Sequence, residues 1–182
     1  MDAIQELLAR DQIRQLAERY AVGVDGRDLQ GIADQFSERS RWGKFGVGRE
    51  GALTYYDHVL RRFHCTMHLV ANHVIDFDDD THAHGIVYCR AHHHVPEPDH
   101  WFDMALAYWD QYECEDGRWL ITRRDLKAWY SQYWGHPDHG VEREIAEPTV
   151  EGARKGQQMP HSFATWTDFE DRPARPLPPR EI

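Results

Sequence analysis

Apolar residues recur with helical spacing from the start of the chain. Ile4, Leu7 and Leu8 open the run, and Ile13, Leu16, Ala17, Tyr20, Ala21 and Val24 continue it at i, i+3, i+4, i+7. The pattern predicts one long helix from about Asp2 to about Val24, with Tyr20 on its buried stripe and Gly26 as its stop signal. Asp28 is a suitable N-cap for a second helix carrying Leu29, Ile32, Ala33 and Phe36. Leu53, Tyr56, Leu60 and Phe63 repeat the spacing in a third, and SRWGKFGVG between them predicts a short strand and turn. From Cys65 the period changes to that of strands. CTMHLVANHVIDF, THAHGIVYCRAHHHV, WFDMALAYWDQYEC and GRWLITRRDLKAWY are rich in β-branched and aromatic residues. The short polar stretches DFDDDT, VPEPDH and ECEDGR carry hairpin chemistry, so consecutive strands should pair antiparallel. Helices followed by a meander predict an α+β fold.

Alternation along the second strand puts Gly85, Val87, Cys89, Ala91 and His93 on one face, small and apolar apart from the last, which suits a cavity lining. His84, Tyr88, Arg90, His92 and His94 share the other face. Past Trp134 the periodicity stops, so the chain divides into a domain at 1–134 and a proline-bearing tail at 135–182. The Trp166–Phe169 cluster in that tail gives it a means of docking over the domain's pocket or a neighbouring subunit.

Composition narrows the functional classes. A chain of 182 residues that is 41% hydrophobic and 12% aromatic suits a single folded domain. The formal net charge of −10, from 31 acids against 21 Lys and Arg, argues against nucleic acid and against a polybasic membrane surface. Small molecules and proteins, including copies of this chain, remain as partners. Cys65, Cys89 and Cys114 are far apart and include no CxxC, so they read as reduced thiols in the cytoplasm. The charged amphipathic start offers no signal-peptide core, and no apolar run approaches the length of a membrane span.

Asp25 is the first candidate for chemistry. An anion in the last turn of a helix is disfavoured unless a cation or donor compensates it, although Asp25-Gly26 also reads as a plain turn. What raises the functional reading is His68, which shares one strand face with Thr66, Val70 and Asn72. An interior carboxylate that holds one imidazole nitrogen leaves the other free as a base near neutral pH. Tyr20 and His93 lie on faces that can join this pair. Either Arg123 or Arg124 should face inward, where it could meet an anionic or carbonyl oxygen. No GxSxG or activated cysteine suggests a covalent intermediate. Thirteen histidines raise the question of a metal. However, the 82–84 and 92–94 clusters lie roughly 33 Å apart along one strand, and no HExxH spacing supports a site, so none is expected.

The order and spacing of these pieces resemble the SnoaL-like branch of the nuclear-transport-factor-2-like superfamily. The matching stretches are YAVGVDGRD, LQGIADQF, MHLVANHVI and the final GRWLI strand. The resemblance implies a cone-shaped barrel, a curved antiparallel sheet closed by three N-terminal helices around an apolar pocket, often assembled as a trimer or dimer. It also implies a lyase that needs no cofactor. Carried over, Asp25 and His68 match the family's catalytic dyad and His93 a second pocket histidine. Tyr20 matches a catalytic tyrosine of its dehydratases, at a position where its dehydrochlorinases carry lysine, and Arg124 matches approximately an arginine of the latter. Val24 departs from the tyrosine that precedes the aspartate in one dehydratase. The expectation is therefore a dehydratase acting on a small cyclic or aromatic substrate, less readily a dehydrohalogenase. Asp25, His68, Tyr20 and His93 would be catalytic, with Arg124, Asn72 and Tyr56 binding substrate. The alternatives are an isomerase or polyketide-type cyclase using the same dyad, and a non-catalytic small subunit of a ring-hydroxylating oxygenase or ligand-binding module.

Overall fold

The computed structural model describes residues 1–97, 99–135 and 163–179. Helix α1 spans Ala3–Gly26. It starts on a capping box: the Asp2 carboxylate accepts from the Ile4 and Gln5 amides, and the Gln5 side chain accepts from the Asp2 amide. Its C-cap is Arg27 rather than the expected Gly26. Arg27 takes the left-handed conformation at φ 58°, while Gly26 stays helical, and the Phe163 ring packs where a Cβ would lie on it. Helix α2 spans only Leu29–Ala33, capped by Asp28. Phe36, expected on that helix, instead lies in a parallel bridge to Ile121. Helix α3 spans Gly48–Leu60. The strand expected around Trp42–Val47 is a 3₁₀ turn at Gly43–Phe45 with one isolated bridge, because Gly43, Gly46 and Gly48 all take positive φ and break extended geometry.

Four long strands follow: β1 Cys65–Phe77, β2 His82–Pro96, β3 Asp99–Glu115 and β4 Arg118–Gly135. They form one antiparallel sheet in the order β1-β2-β3-β4. Helix α1 packs against both edge strands, β1 and β4, so the sheet curls around it. This is the α+β cone, and its core joins Ile13, Leu16, Tyr20 and Val24 to Val87, Cys89, Leu106 and Ile121. The β1–β2 register slips between Val70 and His73. Up to Val70 the even-numbered residues face the core. Beyond the bulge the odd-numbered His73, Ile75 and Phe77 do.

In the tail, helix α4 spans Ala164–Asp171 and lies on the end of α1, with Trp166 and Phe169 buried. The rest of the expected tail, 136–162 and 180–182, lies outside the described residues. Among the described residues, no helix is long and apolar enough to cross a membrane.

Candidate active site

The cone encloses a cavity of about 240 Å³. Its walls are mostly aromatic and aliphatic. His68, His93, Thr66 and Arg124 also line it, beside the phenols of Tyr20, Tyr55, Tyr56 and Tyr108.

One wall is built where α1 ends against the start of β1. Asp25 Oδ1 lies 2.7 Å from His68 Nδ1 and accepts from Thr66 Oγ1 at 2.9 Å, while Oδ2 accepts from the His68 amide at 2.8 Å. A carboxylate facing Nδ1 requires the proton there, so the neutral ring keeps its lone pair on Nε2. His68 lines the cavity and its side chain is 6% exposed. Asp25 stands behind it, as an orienting carboxylate must. The compensation demanded by an acid at a helix C-terminus comes from Arg27, whose guanidinium donates to the Val24 carbonyl and to Thr66 Oγ1.

His93 lies next to His68, rings edge to face with centroids 5.5 Å apart. Burial, with the neighbouring His68 adding to it, pushes the His93 pKa down to about 4. The ring is therefore neutral near pH 7, and its Nδ1 hydrogen-bonds the Phe102 carbonyl. This leaves Nε2 as an acceptor, suited to hold a substrate hydroxyl.

The opposite wall carries a fixed cation. Arg124 points inward and forms a bidentate pair with buried Asp110, at 2.8 Å and 2.6 Å, whereas Arg123 points out and pairs with Asp125. Burial works against the Arg124 charge, but Asp110 more than offsets it and holds the guanidinium above its ordinary pKa. Its carbon lies 4.4 Å and 4.3 Å from the Tyr20 and Tyr108 ring centroids, a cation held in the corner of two rings that meet edge to face. Among the described residues Nη1 is buried without a hydrogen-bond partner, an unused donor on a residue that lines the cavity. Tyr56 packs edge to face on Tyr20, and burial holds both Tyr56 and Tyr108 well above the ordinary phenol pKa.

The structure thus brings together Asp25, His68, Tyr20, His93, Arg124 and Tyr56. Asn72 does not join them. It sits in the β1 bulge, where alternation breaks, and is exposed outside the cavity. Tyr108 and Asp110 went unread in the sequence. Asp110 carried a usable signal, since it shares a strand face with Leu106, Tyr108 and Tyr112, and an acid on a core face demands a cation. Trp42 and Tyr55, on the 3₁₀ turn and α3, complete the aromatic wall, but nothing local marks them. A more open cavity of about 590 Å³ adjoins the first and shares Trp42, Tyr55 and Arg124 with it. Among the described residues, no three His, Cys, Asp or Glu side chains converge as a metal site would require.

Comparison with known proteins agrees with this architecture. A family model described as a SnoaL-like domain matches residues 5–125. Hexachlorocyclohexane dehydrochlorinase 1 of Sphingobium indicum is 28% identical over 130 residues, covering 68% of this chain and 83% of that protein. The crystal structure of LinA is similar at 25% identity and a TM-score of 0.69, over 74% of this chain and 95% of that one. An assigned scytalone dehydratase from Novosphingobium aromaticivorans shares the fold at 24% identity and a TM-score of 0.60, over 73% and 92% of the two chains.

Proposed function

The chain belongs to the SnoaL-like domain family, and from that premise we propose that it is a small-molecule lyase that removes water from a cyclic or aromatic-ring substrate. The observation that carries this reading is His68. Its Nδ1 is pinned to Asp25 at 2.7 Å, and the ring faces a largely apolar cavity with Arg124 on the far wall. In the reaction His68 Nε2 takes a C–H proton, and the electron pair moves toward an adjacent carbonyl oxygen. That oxygen gains charge against the Arg124 Nη1 donor and the Tyr20 hydroxyl. The enolate then expels a β-hydroxyl as the new C=C bond forms. His68 returns its proton to the departing oxygen, which leaves as water, so the base ends neutral. Asp25 stabilises the intermediate imidazolium, His93 Nε2 accepts from a substrate hydroxyl, and Tyr56 shapes the cavity.

Loss of halide is the second reading, favoured by the similarity to a dehydrochlorinase. Tyr20 supports water instead, because it supplies a neutral hydroxyl beside Arg124 where the dehydrochlorinase pattern has a second cation. The test incubates the protein in heavy water with hydroxy-ketones and chlorinated ring compounds, following products by NMR and mass. Dehydration with His68-dependent deuterium exchange is expected, and turnover in His68→Ala should fall about 10²–10⁴-fold. Chloride release without dehydration would select the second reading. Exchange without change of mass would select an isomerase or cyclase, and an inert protein a binding module.

Two settings accompany this reading. The three free cysteines support a reducing compartment such as the cytoplasm. The outer sheet face exposes Met67, Leu69, Trp109 and Trp129, which supports self-association; a monomeric sedimentation profile would refute it.

A further inference from the structure

Arg27 is buried, yet it does not line the cavity. Its Nη1 donates to the Val24 carbonyl at 2.7 Å and to Thr66 Oγ1 at 3.0 Å, and Nη2 donates to the Phe63 carbonyl at 3.2 Å. Thr66, having accepted from Arg27, donates its own proton to Asp25 Oδ1, the atom that holds His68. A continuous line of hydrogen bonds therefore joins Arg27, Thr66, Asp25 and His68, with Asp25 accepting from both sides. The far side of the guanidinium is covered by the tail. The Trp166 ring centroid lies 4.5 Å from the Arg27 guanidinium carbon, and Phe169 lies beyond it at 5.9 Å.

Helix α4 is fixed in that place at both ends. At its start, Phe163 packs on Gly26 and Thr165 Oγ1 donates to the Gly26 carbonyl at 2.5 Å. After it, Arg172 and the Arg175 amide both bind buried Asp57, and His58 Nε2 donates to the Arg175 carbonyl at 2.8 Å. All these tail residues lie beyond the stretch that matches the family.

We propose that Arg27 is a positioning residue for the Asp25–His68 pair and that the C-terminal helix α4 holds it in that role, so that the seating of α4 sets how readily His68 takes a proton. The physical reason is charge balance. Asp25 alone, little hydrated, would draw a proton onto His68 and keep it there as imidazolium, which is useless as a base. A cation behind the carboxylate offsets part of that pull. Burial lowers the Arg27 pKa to about 10, which leaves the group charged at neutral pH. Trp166 keeps water off it, so its field on Asp25 is weakly screened.

The consequence for turnover rests on the lyase reading, but the arrangement itself is tested without substrate. The side-chain signals of His68 are followed by NMR across pH in the full chain, with His68→Gln providing the assignment. Asp25 and Tyr20 face His68 from α1, His93 from β2, and Tyr56, Tyr108 and Arg124 from across the cavity. None of these is altered in the variants. Arg27→Met should raise the His68 midpoint by about one unit. Thr66→Val should raise it by less, and Thr66→Ser should restore it. Trp166→Ala should raise it part of the way, with no further effect in an Arg27→Met background. Should Arg27→Met not fold, the Thr66 and Trp166 variants carry the test. A midpoint that is unmoved or lowered in Thr66→Val and Trp166→Ala overturns the proposal, as does a Trp166→Ala effect that persists without Arg27. The expected shifts in a protein with no turnover on any substrate would uphold the relay while removing the lyase reading.

Discussion

The two walls of the cavity each pair a carboxylate with a basic side chain, and they hold it by different means. On the base wall, Asp25 keeps 17% of its side-chain surface exposed and is held by one hydrogen bond from Thr66 and two from His68, its ring and its amide. On the cation wall, Arg124 and Asp110 are sealed, at 6% and 0% exposure, and joined by two parallel bonds. Tyr112 adds a third donor to Asp110, and His73 on β1 backs Tyr112 at 3.0 Å. The chemistry explains the contrast. A base gains and loses a proton on every turnover, so its partners must tolerate both states. A guanidinium that stabilises developing charge never changes state and can be locked. Damage to the first wall should therefore cost activity alone, and damage to the second should cost folding as well.

The largest expected effect is on the base wall. Asp25→Asn should lower turnover about 10²–10⁴-fold, because an amide fixes the wrong imidazole tautomer and cannot stabilise the imidazolium. Its folding free energy, measured by urea titration, should shift by no more than about 1 kcal/mol. A variant that unfolds while the surviving fraction remains active would erase the contrast between the walls.

On the cation wall, Arg124→Met should add a loss of stability to the loss of turnover. It leaves Asp110 buried with only Tyr112 as donor, which costs about 3–5 kcal/mol of stability. Unchanged unfolding in urea would show that Asp110 is neutralised at no cost and that the wall is less rigid than its bonding implies.

Acid sharpens the comparison further. His93, beside the base, and His73, behind the cation, both have pKa values lowered to about 4, each mainly by burial. An unfolded histidine ionises near 6.5, so between pH 6.5 and pH 4 the unfolded chain binds more protons than the folded one. Stability should accordingly fall as pH drops through that window and be fully present above it, with up to about 3 kcal/mol due to His93. His93→Phe should flatten the slope only in part, since His73 acts with the same sign. A slope identical to the wild type would mean that His93 is wetter than its burial indicates.

How far the sequence revealed these walls depended on whether each feature was local. Strand β1 was legible over Cys65–Phe77 from composition and alternation, and the helical spacing of apolar residues placed the start of α1 near Asp2. The pairing of Asp25 with His68 followed from an acid that needed a partner and a strand face that offered one. Asn72 was misread because alternation assumes an unbroken strand, and the β1–β2 register slips between Val70 and His73. Arg27 showed no local sign of its role, since the ring that covers it, Trp166, lies far along the chain. Asp110 was readable and overlooked, because an acid in mid-strand beside Tyr108 is a demand for a cation that only Arg123 or Arg124 could meet.

The smallest effect tests whether the cation wall is rigid because of one pair or because of a network. Tyr112 donates to Asp110 Oδ2 at 3.0 Å and meets His73 Nε2 on its other side, so Tyr112→Phe removes a hydroxyl that serves two buried groups while keeping the ring. Asp110 retains both bonds from Arg124, so the loss should be that of ordinary buried hydrogen bonds, about 1–2 kcal/mol. His73 loses its partner as well, so the acid sensitivity of the variant should change along with its stability. The His68 titration should stay where it is, since nothing on the base wall touches Tyr112. A loss as large as that of Arg124→Met would mean that the network, rather than the arginine pair, holds this wall. Turnover would then fall with stability on both sides of the cavity.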